Sequence, residues 1–303
     1  MSFSDDVRRE VRRTINNHDK RFACLYGILL YSRIFTQDQI CVQSESDEVA
    51  ALIPELFQSV FGFCPEKGEH ADGSLCSFQI TEKEQLGKIR QTYRIDPEMR
   101  RLDLPWLANN SLNAFLAGVF FVCGSVADPN KEYHLEFVAP TEQLCEDLNG
   151  FLSSFGAAGR IIQRKKSYVL YIKFSESIED TLTFMGAQQC TIELMNIKIR
   201  KDMRNKANRL RNCDEANINK VVNAAMKQTE DILLLIKCKR LEKLSPEIQE
   251  VAKLRLEGPE LSLKEIGEML TVPIGRSGVN HRFQKIAAAA KELREYGCKT
   301  DPE

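Results

Sequence analysis

The sequence predicts an α+β protein, with two duplicated α/β halves related by a pseudo-two-fold and an all-α segment after them. Three observations carry that prediction. An apolar stretch recurs at an offset of 91 residues, and the same order of strands and helices follows each copy. The charge changes sign along the chain: residues 196–303 hold 22 Lys and Arg against 16 Asp and Glu, a net of +6, while residues 1–195 carry −7. Residues 241–294 are punctuated by Ser, Pro and Gly where three short helices would start and stop. With 43% apolar and 28% charged residues among 303, disordered and collagen-like classes are excluded.

The repeat opens with Ala23-Cys-Leu-Tyr-Gly-Ile-Leu-Leu-Tyr-Ser32, matched by Ala114-Phe-Leu-Ala-Gly-Val-Phe-Phe-Val-Cys123. Both read as apolar helices, and Gly27, Ala117 and Gly118 would let their backbones approach closely. Alternating runs follow, Gln39–Gln43 and His134–Val138, which predict strands. Helical patterns come next, Glu48–Phe61 and Thr141–Phe155, each ending near a glycine (Gly62, Gly156). Strands are expected again at Leu75–Ile80 and Tyr168–Phe174, and helices at Lys83–Ile89 and Ile178–Met185. One half cannot cover its own sheet, so the two halves should pair.

The longest strongly apolar stretch, Ala114–Cys123, has about half the length of a membrane span. The start is charged from Asp5 onward and lacks the apolar core of a signal peptide, so a cytoplasmic protein without membrane contact is expected. Ten cysteines lie at least 12 residues apart, which leaves no CxxC pair and predicts reduced, structural thiols from Cys24 to Cys298. His18, His70, His134 and His281 are scattered, so neither a metal site nor a cofactor is expected.

Leu116-Ala-Gly-Val-Phe-Phe-Val-Cys-Gly124 resembles the LAGLIDADG motif of homing endonucleases, with Leu25–Arg33 a weaker copy. The resemblance implies an acid at the penultimate motif position of each half, the two carboxylates sharing a metal site. This chain has Cys123 and Ser32 there. Neither brings a fixed negative charge, so a scaffold without catalytic residues is expected. The rival reading is a working endonuclease whose metal site has moved to other acids.

Between Ile197 and Asn217 the chain concentrates Lys198, Arg200, Lys201, Arg204, Lys206, Arg209 and Arg211 against Asp202, Asp214 and Glu215. The segment reads as one or two helices. Arginine beside asparagine suits phosphate and base-edge contacts, and a solvated helix joining two domains explains the composition equally well.

The C-terminal segment carries the sharpest local signals. Ser245-Pro246-Glu247 starts a helix, on which Ile248, Val251, Ala252 and Arg255 recur at helical spacing until Gly258-Pro259. Ser262-Leu-Lys-Glu265 is a capping box, opening a helix with Leu263, Ile266 and Leu270 inward. After a break at Thr271–Gly275, Ser277 is placed to cap a third helix whose inner face is Val279, Phe283 and Ile286. A short helix, a turn and a helix with an exposed polar and basic face suit the major groove. The candidate DNA-binding residues are Ser262, Lys264, Arg276, Ser277, Asn280, His281, Arg282, Gln284 and Lys285, within a helix-turn-helix from Leu261 to Arg294. The connector's seven cations are the secondary candidates. This segment resembles the promoter-reading terminal domain of sigma factors.

Taken with Met203-Arg-Asn, Asn208-Arg-Leu-Arg-Asn-Cys213 and Ser277-Gly-Val-Asn-His-Arg282, the two halves resemble the WhiA family over nearly the whole chain. That resemblance implies a sequence-specific regulator of transcription, bound to double-stranded DNA in the nucleoid. It further implies a link to cell division and chromosome segregation, and to sporulation in sporulating relatives. The domains expected are a degenerate LAGLIDADG-like region at 1–193 (halves about 21–92 and 110–190), a basic connector at 194–235 and the helix-turn-helix at 236–303. A third reading makes the first domain a scaffold for a sigma factor or division protein, with DNA touched only by the last.

Overall fold

The computed structural model describes residues 2–68, 76–165 and 167–296. His70, Leu75, Cys298 and the end of the expected last domain (297–303) lie outside the described residues. Contacts divide the chain into two units, Met1–Asp202 and Met203–Glu303. In the first unit run α1 (Phe3–Arg12), α2 (His18–Leu30), β1 (Ile34–Phe35), β2 (Ile40–Ser44), α3 (Asp47–Phe61), β3 (Glu66–Gly68), β4 (Cys76–Ile80) and α4 (Lys83–Tyr93). The second half follows as α5 (Leu112–Cys123), β5 (Gly124–Val126), β6 (Leu135–Ala139), α6 (Glu142–Ser153), β7 (Arg160–Arg164), β8 (Ser167–Ile172) and α7 (Ser175–Met185). Helix α8 (Gln188–Lys237) passes from the first unit into the second, which continues with α9 (Pro246–Glu257), α10 (Leu263–Met269) and α11 (Arg276–Tyr296).

The duplication expected from sequence is explicit in the sheets. Their strand orders are β1-β2-β4-β3 and β5-β6-β8-β7, the same topology twice, and the paired strands are antiparallel. In β6, Leu135, Phe137 and Ala139 are buried while Glu136 and Val138 take the other face, as period-two alternation requires. Helices α2 and α5 are buried all round, from Ala23 to Leu30 and from Ala114 to Phe121. A helix apolar on every side belongs in the middle of a core. The pair packs backbone to backbone at Gly27 and Gly118: a Cβ on Gly27 would lie 2.4 Å from the Phe115 carbonyl oxygen, and one on Gly118 only 2.0 Å from that of Cys24.

Elements missing from the sequence reading have physical reasons. Strands β1, β3 and β5 are two or three residues long, too short for any period to show. Strand β7 is a largely exposed edge strand with arginine at both ends, so it lacks an apolar signature. Helix α1 is fixed by a capping box between Ser2 and Asp5 and by buried Val7 and Val11. Positions 193 and 235, where composition changes, both lie inside α8: its sequence contains neither glycine nor proline, so nothing interrupts the helix.

The thiol expectation needs one correction. Cys24, Cys41, Cys64, Cys76, Cys123, Cys145, Cys190 and Cys213 are free. Cys238 is disulfide-bonded instead, since spacing along a chain does not limit which thiols a fold can join.

Candidate nucleic-acid interface

The second unit builds its surface from an apolar centre outward. Ile248, Val251 and Ala252 of α9, Ile266 of α10, and Val279, Phe283, Ile286 and Ala290 of α11 are buried together with Ile232 and Leu235 of α8. The Ser262 hydroxyl accepts from the Glu265 amide (3.2 Å) and the Glu265 carboxylate accepts from the Ser262 amide (2.7 Å), so the capping box at the start of α10 is complete. Those bonds also hold the Glu265 carboxyl below its ordinary range. Gly267 lets the following turn fold back over α10: the Ile274 amide donates to the Gly267 carbonyl at 3.1 Å, and a Cβ there would meet the Ile274 oxygen at 2.2 Å. Glu250 of α9 ties the same turn down, accepting from the Thr271 amide (2.6 Å) and hydroxyl (2.7 Å), and these bonds lower its pKa.

Arg255 is the strongest clamp. It is 2% exposed, lies over the Phe283 ring, and donates to the carbonyls of Pro259 (3.1 Å) and Leu261 (2.6 Å) and to the Gln228 amide oxygen (3.0 Å). It fixes the loop that leads into α10. In the sequence it stands among apolar positions at helical spacing, and a cation in such a place was the signal that could have found it. Glu250 gave no signal.

The candidate residues fall into two sets. Arg276, Ser277, Asn280, His281, Gln284 and Lys285 are exposed on α11, opposite its buried face, and Lys264 is exposed on α10 within 3.7 Å of Glu268. Arg282 is half-buried and donates to the Glu247 carbonyl at 3.3 Å, while the Ser262 hydroxyl serves the cap. Ser277 does not cap α11, which begins one residue earlier, at Arg276. His281, Arg282 and Lys285 line a hollow of about 340 Å³ with Ser245, Glu247 and Ile248. A hydrogen bond from Ser245, helped by the nearby charges of Arg282 and Lys285, lowers the Glu247 pKa.

The connector's cations also divide. Lys198 pairs with Glu176 (2.5 Å) and Glu179 (3.4 Å), and the Lys201 ammonium donates to the Pro129 carbonyl (2.7 Å) over the Tyr133 ring. Arg200, Arg204, Lys206 and Arg209 are exposed, as is Arg211, 3.9 Å from Glu215.

In the first unit the motif positions face a cleft of about 970 Å³ lined by Ser32, Cys123, Arg8 and Glu136, among others. The Ser32 hydroxyl donates to the Leu29 carbonyl (2.8 Å) and the Cys123 thiol to that of Val119 (3.2 Å), each into its own helix. Desolvation pushes the Cys123 thiol well above its ordinary pKa, so it carries no charge near neutrality. The Arg8 guanidinium, absent from the sequence reading, donates to the Gly124 carbonyl at 2.9 Å and lies over the Phe120 ring. A cation therefore stands beside the motif position where a nuclease needs negative charge. Among the described residues, no helix is long and apolar enough to cross a membrane.

Comparison with known proteins gives a consistent result for both units. Residues 112–204 match the model of the WhiA LAGLIDADG-like domain and residues 207–290 that of the WhiA C-terminal HTH domain. A curated relative from Clostridium perfringens (strain SM101 / Type A), named "Probable cell division protein WhiA", is 50% identical over 97% of this chain and 99% of its own. One of the same name from Thermoanaerobacter pseudethanolicus is 35% identical, with the same coverage. The crystal structure of full-length DUF199/WhiA from Thermatoga maritima matches in fold with a TM-score of 0.59 at 21% identity, covering 96% of this chain and 99% of that one.

Proposed function

From the premise that the chain belongs to the WhiA family, we propose that it binds duplex DNA sequence-specifically and regulates transcription in cell division. The observation that carries this reading is the exposed face of α11, where Ser277, Asn280, His281 and Gln284 stand opposite the buried Val279, Phe283 and Ile286. Asparagine and glutamine can pair bidentately with adenine, and arginine with guanine, which makes this face a reader of major-groove edges. Arg276 and Lys285 at the same surface, with Arg200, Arg204, Lys206, Arg209 and Arg211 on the connector, supply charge for phosphates. A place at the nucleoid in the cytoplasm, a part in chromosome segregation or sporulation, and a sigma factor or division protein as partner belong to the same reading. The names of the curated relatives support the cell-division role.

The reading includes loss of the nuclease. Ser32 and Cys123 hold no charge, and Arg8 adds a positive one beside them. Supercoiled plasmid incubated with the protein and magnesium or manganese should stay uncut; nicking that persists through repurification restores the endonuclease. For recognition, Asn280→Ala should weaken binding to a selected site by roughly 1–3 kcal/mol with the fold unchanged. Equal affinity across a panel of sites, for variant and parent alike, would remove sequence reading from α11.

A further inference from the structure

Every residue of α8 from Met203 to Ala224 is exposed, yet the segment is not polar all round. At 100° per residue, Met203, Ala207, Leu210, Ile218, Val221 and Ala225 fall within an arc of about 80°. Four of them, Met203, Leu210, Ile218 and Val221, are 67%, 68%, 61% and 53% exposed. Further along, the same face carries Ile232 and Leu235, which are fully buried in the second unit's core. The helix thus continues a core-type face into a stretch that no described residue of its own unit covers.

Charge identifies the occupant. From Met203 to Asn212 the helix holds Arg204, Lys206, Arg209 and Arg211 and no acid; from Cys213 to Asn219 it holds Asp214 and Glu215 and no cation. Asp214 also sits within the apolar arc, where a carboxylate that becomes covered is stable only beside a cation. A parallel, in-register pair of such helices would stack cation on cation. An antiparallel pair sets the basic end of each against the acidic end of the other.

We propose that this face is a self-association surface: α8 of one chain pairs antiparallel with α8 of a second copy, about a two-fold near Asn212. Met203 then packs on the second copy's Val221 and Ala207 on its Asn217, while Arg211 neighbours its Asp214 and Glu215. Because a two-fold contact is isologous, each of these pairs occurs twice. Arg204 and Arg209 lie off the apolar arc, so the pairing leaves them open to phosphate. The seam is about 33 Å long, short enough that the dimer should be reversible at micromolar concentration.

The test uses the full chain in analytical ultracentrifugation between about 1 and 200 μM. A monomer–dimer equilibrium is expected, weakened about tenfold or more by Leu210→Glu with Ile218→Glu. Circular dichroism should be unchanged in that variant, because both positions are exposed. Direction is read in a Cys64→Ser, Cys213→Ser background: a mixture of Met203→Cys and Val221→Cys chains should cross-link with a short thiol reagent, and Met203→Cys alone should not. A chain monomeric throughout the range, a dimer untouched by the double variant, or cross-linking of Met203→Cys to itself would each overturn the proposal.

Discussion

The contact between α2 and α5 is a sharp test of the first unit, and Gly118→Ala is the perturbation that probes it. The added Cβ would stand 2.0 Å from the Cys24 carbonyl oxygen, 2.9 Å from its carbon and 3.1 Å from the Cys24 Cα. All three atoms are backbone, so no side chain can turn away, and the helices must separate by about 1 Å to restore van der Waals distance. Both helices are buried on every side there, so the separation loosens packing in both halves. Overpacking costs about 1–3 kcal/mol and more when backbone must move, while alanine returns about 1 kcal/mol of helix propensity. A net loss of about 2–3 kcal/mol is expected. For a unit of this size that lowers its melting temperature by roughly 4–12 °C in calorimetry. Gly87→Ala is the internal control: it sits on the exposed side of α4, and an added Cβ would have no atom within 4 Å, so it should gain about 0.5–1 kcal/mol. If Gly118→Ala melts with the parent while Gly87→Ala rises, the backbone approach at the centre of the fold is refuted.

Two further outcomes follow from the clamps described above. Arg255→Met keeps the volume but leaves the Pro259 and Leu261 carbonyls without their donor, and should destabilise the second unit by about 3 kcal/mol in urea unfolding; Arg255→Lys should rescue little, because one ammonium cannot reproduce the planar fork. The Lys198 ammonium holds the Glu176 carboxyl at about 2, below its ordinary 4.5, so this pair's contribution is complete above pH 4.5 and is lost as pH falls toward 2. Glu176→Gln should melt slightly lower at pH 7 and lose less on acidification through that window; identical acid profiles would show the pair to be without weight.

Much of the fold was legible because its signals are local. The Ala23–Ser32 and Ala114–Cys123 copies, the alternating strands and the Ser262–Glu265 box state their structure within a few residues, and each was found where expected. The inner strands β2, β4, β6 and β8 showed because one face is buried; the outer strands did not, since pairing alone leaves no apolar pattern. Site residues split along the same line. Asn280, His281 and Gln284 were readable from the buried Val279 and Phe283 between them. By contrast, the engagement of Lys198 with Glu176 and of Lys201 with Pro129 depends on contacts remote in sequence. Composition records a cation without recording what already holds it.

The position of Arg8 has a consequence for the history of the fold. Its guanidinium reaches from α1 to the Gly124 carbonyl, next to the motif's penultimate residue. Aspartates restored at positions 32 and 123 would find a positive neighbour ready to neutralise one of them before any divalent ion arrived. Reversion would then take at least three coordinated changes, with Arg8 removed as well, and each single step brings no activity to select. Meanwhile Arg8 also joins α1 to the end of α5 and pairs with Asp5 at 3.0 Å, so its removal carries a structural penalty. A side chain that secures an N-terminal helix thus works as a ratchet, holding an ancestral cutting scaffold in its non-cutting state.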